Sequence, residues 1–251
     1  MAKFGRFSPE SWNSLMPAHK PSAQRGPWYY RNTEALVVTY LTDEDAVLDI
    51  LPEDLELIEP ATAFMVVEKN HKTSMGPYDE IYTAVMCKWR DEVFAYCNGV
   101  YVTGEASQIL GREILGFGKK RADSIDFTNH NDGEVEAVVN IRPGEPAVTV
   151  RALPTVREPA ESVESIPLVV LKTIPDAEGG EKPALAQLVS VLFKAIPQVG
   201  SDGNAEVYSG PATIEFGAEN DCNLPVKEVL SATYMHMYAD LPYGHVLKTY
   251  F

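Results

Sequence analysis

The sequence has few of the residues that crosslink a protein by disulfide bonds or bind a metal ion. Only three cysteines are present, Cys87, Cys97 and Cys222, and none has CxxC spacing, which argues against a disulfide framework. The five histidines form no HExxH or comparable ligand motif. We therefore expect neither a metal ion nor any other cofactor, and chemistry that rests on ordinary side chains.

Long apolar runs and an excess of basic charge are also missing. No run reaches the roughly 18–20 apolar residues that a membrane-spanning helix needs, and residues 1–16 contain no signal-peptide stretch. We therefore expect a cytoplasmic protein without a membrane partner. The chain has 36 Asp and Glu residues against 21 Lys and Arg, for a net charge of −15. Such a chain repels phosphate backbones, so a nucleic-acid partner is not expected.

What remains is the pattern of a mainly β protein of the α+β class. Polar, proline-punctuated residues 1–27 predict an N-terminal arm before a single domain over residues 28–251. A short helix capped by Thr42 or Asp43 and a second helix over residues 104–115 follow from apolar spacing, with a third candidate at 225–230. Strands outnumber helices without regular βαβ alternation. From β-branched and aromatic content, the strand candidates are residues 35–40, 62–68, 80–89, 93–102, 134–141, 147–153, 167–174, 185–195, 206–216 and 232–238.

One dense basic cluster stands out on this acidic chain, and it contains the pair Lys119 and Lys120. A lysine with an ordinary pKa of about 10.4 is almost wholly protonated at neutral pH and cannot attack a carbonyl group. Burial beside Ile114, Leu115 and Phe117, and the charge of a second ammonium group, would both favour the neutral amine. By itself the pair equally describes solvated cations at the end of a helix. The surrounding motifs decide between these interpretations.

Those motifs resemble the acetoacetate decarboxylase superfamily. The GRE motif at residues 111–113, followed by Lys119 and Lys120, is similar to the GRE…KK signature of that family. The resemblance implies a Schiff base between Lys119 and a carbonyl substrate, with Lys120 modulating the pKa of its neighbour. It also implies a cone-shaped β-barrel with flanking helices and a homo-oligomer. Further matches occur in family order: RGP at 25–27, LKTIP at 171–175, GP at 210–211 and LPVKEV at 224–229.

The same resemblance covers residues 76–80 (GPYDE) and implies that Glu80 is the active-site glutamate of the family. If residues 78–89 form a strand, Tyr78, Glu80 and Tyr82 point to one face. By pattern alone this face would more often be a solvated strand face. We predict Lys119, Glu80 and Tyr82 as the catalytic residues.

Several polar positions of the decarboxylases are replaced in this sequence. The arginine that orients the substrate carboxylate corresponds to Thr33, and a second active-site glutamate corresponds to Met65. Some pyruvate aldolase-dehydratases of the superfamily have a glutamine where this chain has Leu115. We expect Met65, Leu115 and Phe117 to line the substrate pocket. Arg31 and Glu68 lie near the altered positions, but strand parity gives no assurance that they substitute.

Three functions are consistent with this altered set of residues. The favoured one is a Schiff-base lyase that joins pyruvate or a similar 2-oxo acid to an aldehyde and then eliminates water. The second is a decarboxylase of acetoacetate or another β-keto acid. The third, of another class, is a small-molecule binding protein that kept the cavity and lost catalysis. Function depends on the site and not on the fold, so geometry is needed to choose.

Overall fold

A computed structural model describes residues 2–218 and 224–251 and consists mainly of β-strands. Two short helices are α1 (Glu44–Leu48) and α2 (Glu105–Leu110), with 3-10 turns at Pro9–Ser11 and Ala160–Ser162. The strands are β1 (Trp28–Leu41), β2 (Glu56–Leu57), β3 (Thr62–Thr73), β4 (Tyr78–Trp89), β5 (Glu92–Val102), β6 (Lys119–Arg121), β7 (Ser124–Asn129), β8 (Val135–Arg142), β9 (Glu145–Ala152), β10 (Val156–Arg157), β11 (Leu168–Ile174), β12 (Leu185–Val191), β13 (Lys194–Pro197), β14 (Val207–Gly210), β15 (Ala212–Phe216), β16 (Glu228–Leu241) and β17 (His245–Thr249).

Thirteen strands form one large sheet, in the order β10-β14-β16-β1-β3-β4-β5-β11-β12-β17. Three short strands pair off this path, β13 with β16, β2 with β4 and β6 with β5. A second sheet of four strands has the order β15-β9-β8-β7. The mainly β class is confirmed. The two end strands of the large sheet, β10 and β17, do not pair with each other in the described part of the chain, so no closed barrel is formed there.

Two apolar cores lie on opposite faces of the large sheet, because side chains along a strand alternate between faces. On one face Leu36 and Val38 of β1 pack with Val139 and Val150 of the smaller sheet. On the other face strand residues pack with Leu110 and Leu115 around α2. Leu15, from the predicted N-terminal arm, is also buried in this second cluster. The second face contains the candidate site.

The two predicted short helices exist and begin and end where their caps indicate. The side chain of Asp43 accepts a hydrogen bond from the Ala46 N–H at 3.1 Å and starts α1. Helix α2 begins after Gly104 and continues as one π-helical turn over Gly111–Leu115. The turn ends at Gly116, whose φ of 92° lies in the left-handed region that glycine adopts at low cost.

Other boundaries were decided by strand pairing and differ from the sequence prediction. The helix predicted over residues 225–230 is wrong, because Glu228 begins β16 and pairs with Leu41 of β1. The single strands predicted over residues 185–195 and 206–216 are each divided into two. The lysine pair does not lie in a loop that follows a helix, since Lys119 begins strand β6. Cys222 lies outside the described residues.

Candidate active site

Lys119 is buried, with 4% of its surface exposed, although lysine is among the residues least often found inside proteins. Strand β6 places it beside Val100 of β5. Its Nζ atom donates hydrogen bonds to Glu80 Oε2 at 2.7 Å and to Ser107 Oγ at 2.9 Å. The amine also lies 5.7 Å from the ring centre of Tyr78. The predicted residues Lys119 and Glu80 are therefore brought into direct contact.

Small residues on α2 make the room that this lysine occupies. Ser107 and Gly111 are four residues apart, so they lie on the same helical face. A Cβ atom at Gly111 would stand 2.6 Å from Cδ and 2.7 Å from Cε of Lys119. The glycine of the GRE motif is thus explained by close approach. This pair of small residues is a sequence signal that pointed to the lysine and was missed.

Other motif residues hold the backbone around the lysine. Arg112 donates from Nη1 to the carbonyl oxygen of Lys119 at 3.2 Å. Lys172, from the LKTIP motif, donates to the carbonyl oxygen of Ile114 at 3.0 Å, where the π-helical turn leaves carbonyl groups without helical partners. Burial lowers the pKa of Lys172. Arg112 therefore stabilises the position of β6, and Lys172 stabilises the π-helical turn.

A second glutamate, Glu68, lies directly opposite Glu80 in the pairing of β3 with β4. Its exposed fraction is 4%, and its nearest hydrogen-bond donor is Asn70 Nδ2 at 3.4 Å, a long and weak contact. Burial and, to a smaller extent, the charge of Glu80 raise the pKa of Glu68 to about 8. At neutral pH the Glu68 carboxyl group therefore holds a proton.

Three tyrosines surround these carboxyl groups. The hydroxyl groups of Tyr30 and Tyr78 lie 2.8 Å apart in a hydrogen bond. Burial first, with nearby acidic groups adding to it, raises the pKa of Tyr30, Tyr78 and Tyr82 well above the ordinary range. All three hydroxyl groups are thus neutral at physiological pH. Neutral hydroxyl groups of this kind can donate hydrogen bonds but do not act as bases.

A cavity of about 320 Å³ opens on the same face of the sheet and reaches Glu68 and Tyr82. It lies over β16, β1 and β3 and is covered in part by the segment before β11. The walls are mostly apolar, and the volume is that of a small-ligand pocket. The lining residues are Ala35, Val37, Thr39, Phe64, Val66, Glu68, Tyr82, Ser162, Val163, Glu164, Ser165, Ile166, Leu168, Phe193, Ala195, Ser231, Thr233, Met235 and Met237.

None of the three predicted pocket residues lines the described cavity, although the ring centre of Phe117 lies 5.8 Å from Lys119 Nζ. Met65 points to the opposite face of the sheet and packs in the core against the smaller sheet, so its prediction as a pocket residue is wrong. Leu115 is buried beside α2 and does not line the described cavity. The parity of β3 explains the error, since Val66 and Glu68, not Met65, face the cavity.

Lys120 does not stand beside the amine of Lys119. Neighbouring residues of a strand point to opposite faces, so Lys120 projects away from the buried pair and is exposed. Its Nζ atom lies over the ring of Tyr101, at 5.9 Å, and Tyr101 belongs to the core on the other face. The predicted effect of the Lys120 charge on Lys119 therefore gains no support from the orientation of this side chain.

No cation takes the place of the missing arginine among the described residues that line the cavity. Thr33 is buried and donates to Asn70 Oδ1 at 2.7 Å, so a chain of hydrogen bonds runs from Thr33 through Asn70 to Glu68. Arg31 forms an ion pair with Asp240 at 2.8 Å on the surface instead. Glu68, which sequence parity left undecided, is the residue that supplies a second carboxyl group.

One group of side chains outside this site has ligand atoms close enough for a metal ion. The ligand atoms of His130, Glu134 and Glu136 lie within 4.8 Å of one another. Glu136 is already paired with Arg151 at 2.6 Å, and His130 is exposed. In the described residues, no helix is long and apolar enough to cross a membrane.

Fold and site together define a mainly β protein built around a buried lysine that is paired with a glutamate. A family model described as acetoacetate decarboxylase matches residues 15–251, and the chain belongs to this family. Acetoacetate decarboxylase 1 of Bradyrhizobium diazoefficiens is 28% identical over 240 residues, which cover 91% of this chain and 89% of that protein. The acetoacetate decarboxylase of Paraburkholderia xenovorans is 29% identical over 236 residues, covering 91% and 88%.

Solved structures show the same fold. The acetoacetate decarboxylase of Legionella pneumophila superimposes with a TM-score of 0.83 at 23% identity, covering 100% of this chain and 98% of that one. The enduracididine biosynthesis enzyme MppR, in a complex with pyruvate, gives a TM-score of 0.75 at 16% identity and covers 94% and 98%. At these identities the likeness establishes the fold alone. Both kinds of enzyme use a fold that this chain shares.

Proposed function

We propose that this protein is a Schiff-base-forming carbon–carbon lyase that condenses a 2-oxo acid such as pyruvate with an aldehyde and then eliminates water. The observation that carries the proposal is the buried contact of Lys119 with Glu80, beside a protonated Glu68 at the edge of an apolar cavity. The contact supplies a nucleophile with its base. Glu68 supplies an acid, and the cavity supplies room for a second substrate.

The amine needs to lose a proton before it attacks, and Glu80 is placed to take it. The Nζ and Oε2 atoms are 2.7 Å apart, and only 5% and 11% of the two side chains is exposed. Transfer of one proton from Nζ to Oε2 along this hydrogen bond gives a neutral amine at unchanged net charge. Activation then depends on Glu80 and on burial, and it does not require Lys120.

The reaction follows from this pair. The Lys119 amine adds to the 2-oxo carbon, and the carbinol oxygen takes back the proton held by Glu80 and leaves as water, which gives an iminium ion. Loss of a methyl proton to Glu80 converts the iminium ion to an enamine. The enamine carbon forms a bond to the aldehyde carbon, and the aldehyde oxygen takes the proton from Glu80 to become a hydroxyl group. Glu80 then removes a second proton from the former methyl carbon, and the hydroxyl group takes a proton from Glu68 and leaves as water. Return of the proton from Glu80 to Glu68 and hydrolysis of the iminium ion release an unsaturated 2-oxo acid and the free lysine.

Glu68 is the proton donor for the elimination. With its pKa raised to about 8, it remains protonated at neutral pH and can protonate a leaving hydroxyl group. It faces the cavity together with Tyr82, whose neutral hydroxyl group can hold the aldehyde oxygen. A second candidate, decarboxylation of a β-keto acid, is favoured by the names of the curated relatives. The apolar walls support it too, because a poorly solvated carboxylate loses carbon dioxide more readily.

Borohydride trapping tests the proposal directly. Incubation with pyruvate and borohydride is expected to attach one reduced adduct to Lys119, located by mass spectrometry of the digested protein. Lys119→Ala should abolish the adduct and lower turnover by at least about a thousandfold. The matched control is Lys120→Ala, which keeps the adduct. Absence of an adduct with a broad panel of oxo compounds would instead favour a non-catalytic binding protein.

The two lyase reactions are separated by their products. Pyruvate with an aromatic aldehyde is expected to give a conjugated product, followed by its absorbance. Rapid release of carbon dioxide from acetoacetate, without condensation, would replace the first proposal by the second. From the family we also propose a homo-oligomer in the cytoplasm, which sedimentation analysis and fractionation of cells check.

A further inference from the structure

We propose that the cavity binds an uncharged, extended apolar chain attached to the carbonyl group of the aldehyde substrate, so that long-chain aldehydes are preferred to short ones. This inference rests on the proposed function for the reacting carbonyl group. It goes further by assigning the chemical class of the rest of the substrate. It is carried by the shape, the burial and the charge of the cavity walls.

The cavity is a trough that follows the strands. Ala35, Val37 and Thr39 line it from β1, and each is flanked in register by a lining residue of β3 and of β16. Four residue steps along a strand span about 13 Å. The three rows across the trough are Met235–Ala35–Glu68, Thr233–Val37–Val66 and Ser231–Thr39–Phe64.

Burial gives the trough a closed end and an open end. All three residues of the row that contains Glu68 are buried, whereas Ser231, in the last row, is exposed. The closed end therefore lies at Glu68, which is paired in register with Glu80, the partner of Lys119. An aldehyde whose carbonyl carbon meets the enamine on Lys119 has its remaining chain directed along the trough toward Ser231.

The charge of the walls selects an uncharged chain. Among the described residues that line the trough, none is a lysine, arginine or histidine. The two acidic residues are Glu68, protonated at neutral pH, and the exposed Glu164 near the covering segment. A carboxylate or phosphate on this part of the substrate would lose its hydration without gaining a partner. The side chains of Val37, Val66 and Met235 instead match a hydrocarbon chain.

The first experiment measures kcat/KM with pyruvate and straight-chain aldehydes from acetaldehyde to decanal. Each methylene that enters the trough is expected to raise kcat/KM about fourfold until the trough is full. Thr233→Trp places a large side chain in the middle row and should remove the gain for the longer aldehydes. Ser231→Trp, at the exposed end where folding is not at risk, should remove it only for the longest. Leu230→Trp is the matched control, because Leu230 is exposed and does not line the trough.

A second experiment reports on the trough without any Schiff base. Straight-chain primary alcohols, followed by calorimetric titration, should bind more tightly by a similar factor for each methylene, and Lys119→Ala should keep this binding. A flat affinity series overturns the proposal. The proposal is also overturned if alcohol affinity rises with chain length but Thr233→Trp does not change it. It is overturned likewise if alcohol affinity rises with chain length while kcat/KM does not depend on aldehyde length. If alcohol affinity rises with chain length but no borohydride adduct forms on Lys119, the proposed function is refuted instead. The trough would then bind chains as proposed, and only the Schiff base would be missing.

Discussion

Two glutamates on adjacent strands differ in their charge at neutral pH, although both are buried. Glu34 of β1 is 8% exposed and Glu68 of β3 is 4% exposed. Glu34 immediately precedes Ala35, which pairs with Glu68, so the two carboxyl groups lie on opposite faces of the same sheet. Both carboxyl groups lose hydration. They nevertheless differ in charge at neutral pH.

The difference comes from their hydrogen-bond partners. Burial raises the pKa of Glu34, but hydrogen bonds from His71, Tyr234 and Asn129 together outweigh it and hold the pKa below its usual value. Tyr234 and Asn129 each approach Glu34 Oε2 at 2.9 Å. At Glu68 the repulsion of Glu80 adds to burial, and the 3.4 Å contact with Asn70 and the attraction of Lys119 do not outweigh them. Burial of a carboxyl group thus indicates a candidate acid only where donors are scarce.

The largest expected effect separates the two glutamates by activity. Glu68→Gln should lower turnover of the condensation and dehydration by about a hundredfold to a thousandfold, because it removes the acid. The borohydride adduct on Lys119 should remain. Glu34→Gln should leave turnover unchanged and cost about 1–3 kcal/mol of stability, since it replaces the charged acceptor of three hydrogen bonds. Steady-state kinetics and urea denaturation measure both, and equal losses of turnover would contradict the comparison.

A second prediction concerns the space that admits Lys119. Gly111→Ala places a Cβ atom within 2.7 Å of the lysine side chain and should displace the amine from Glu80. We expect adduct formation with pyruvate to slow by about a hundredfold, the effect of a misplacement on the order of 1 Å. Gly118→Ala is the matched control, because nothing lies within 4 Å of a Cβ atom there. Similar rates in the two variants would show that the close approach is unimportant.

The third prediction is that the two glutamates affect stability in opposite directions as pH changes. The pKa of Glu68 is raised from 4.5 to about 8, so between these values the folded protein holds a proton that the unfolded chain has lost. The contribution of Glu68 is full below pH 4.5 and is lost, by up to about 1.4 kcal/mol per pH unit, as pH rises through about 8. Glu34, with a lowered pKa, contributes above pH 4.5 and loses this as pH falls.

Denaturation midpoints from pH 4 to 9 test this sign. Glu68→Gln should flatten the loss of stability between about pH 4.5 and 8, and Glu34→Gln should remove part of the acid loss. Turnover should also fall as pH rises past about 8, when Glu68 ionises, and this limb should disappear in the residual activity of Glu68→Gln. An alkaline limb that persists in that variant would assign the proton to another group.

The smallest expected effect concerns Lys120, whose side chain lies on the opposite face of β6 from that of Lys119. Lys120→Ala should change turnover by less than about threefold, because a solvated charge on the opposite face interacts weakly with the buried site. Added salt should change the activities of the wild type and of the Lys120→Ala variant in parallel. A loss near that of Lys119→Ala would restore a direct electrostatic role for Lys120.

The sequence was sufficient for the parts of the site that local pattern encodes. The GRE motif and the lysine pair identified Lys119, and alternation along β4 placed Tyr78, Glu80 and Tyr82 on one face. The two short helices followed from apolar spacing, and the first also from its Asp43 cap. Met65 and Glu68 were not resolved in this way, because the parity of β3 relative to the cavity depends on the strands beside it.

What the amino-acid sequence determined by itself is the proposed nucleophile, its glutamate partner and the mainly β class, because each rests on contiguous residues. Tertiary structure decided which carboxyl group stands second in the site, since Glu68 meets Glu80 only through the register of β3 with β4. It also decided that Lys120 turns away, because a three-residue strand replaced the expected loop. Side chains distant in sequence become chemical partners only when strand pairing fixes their register and face.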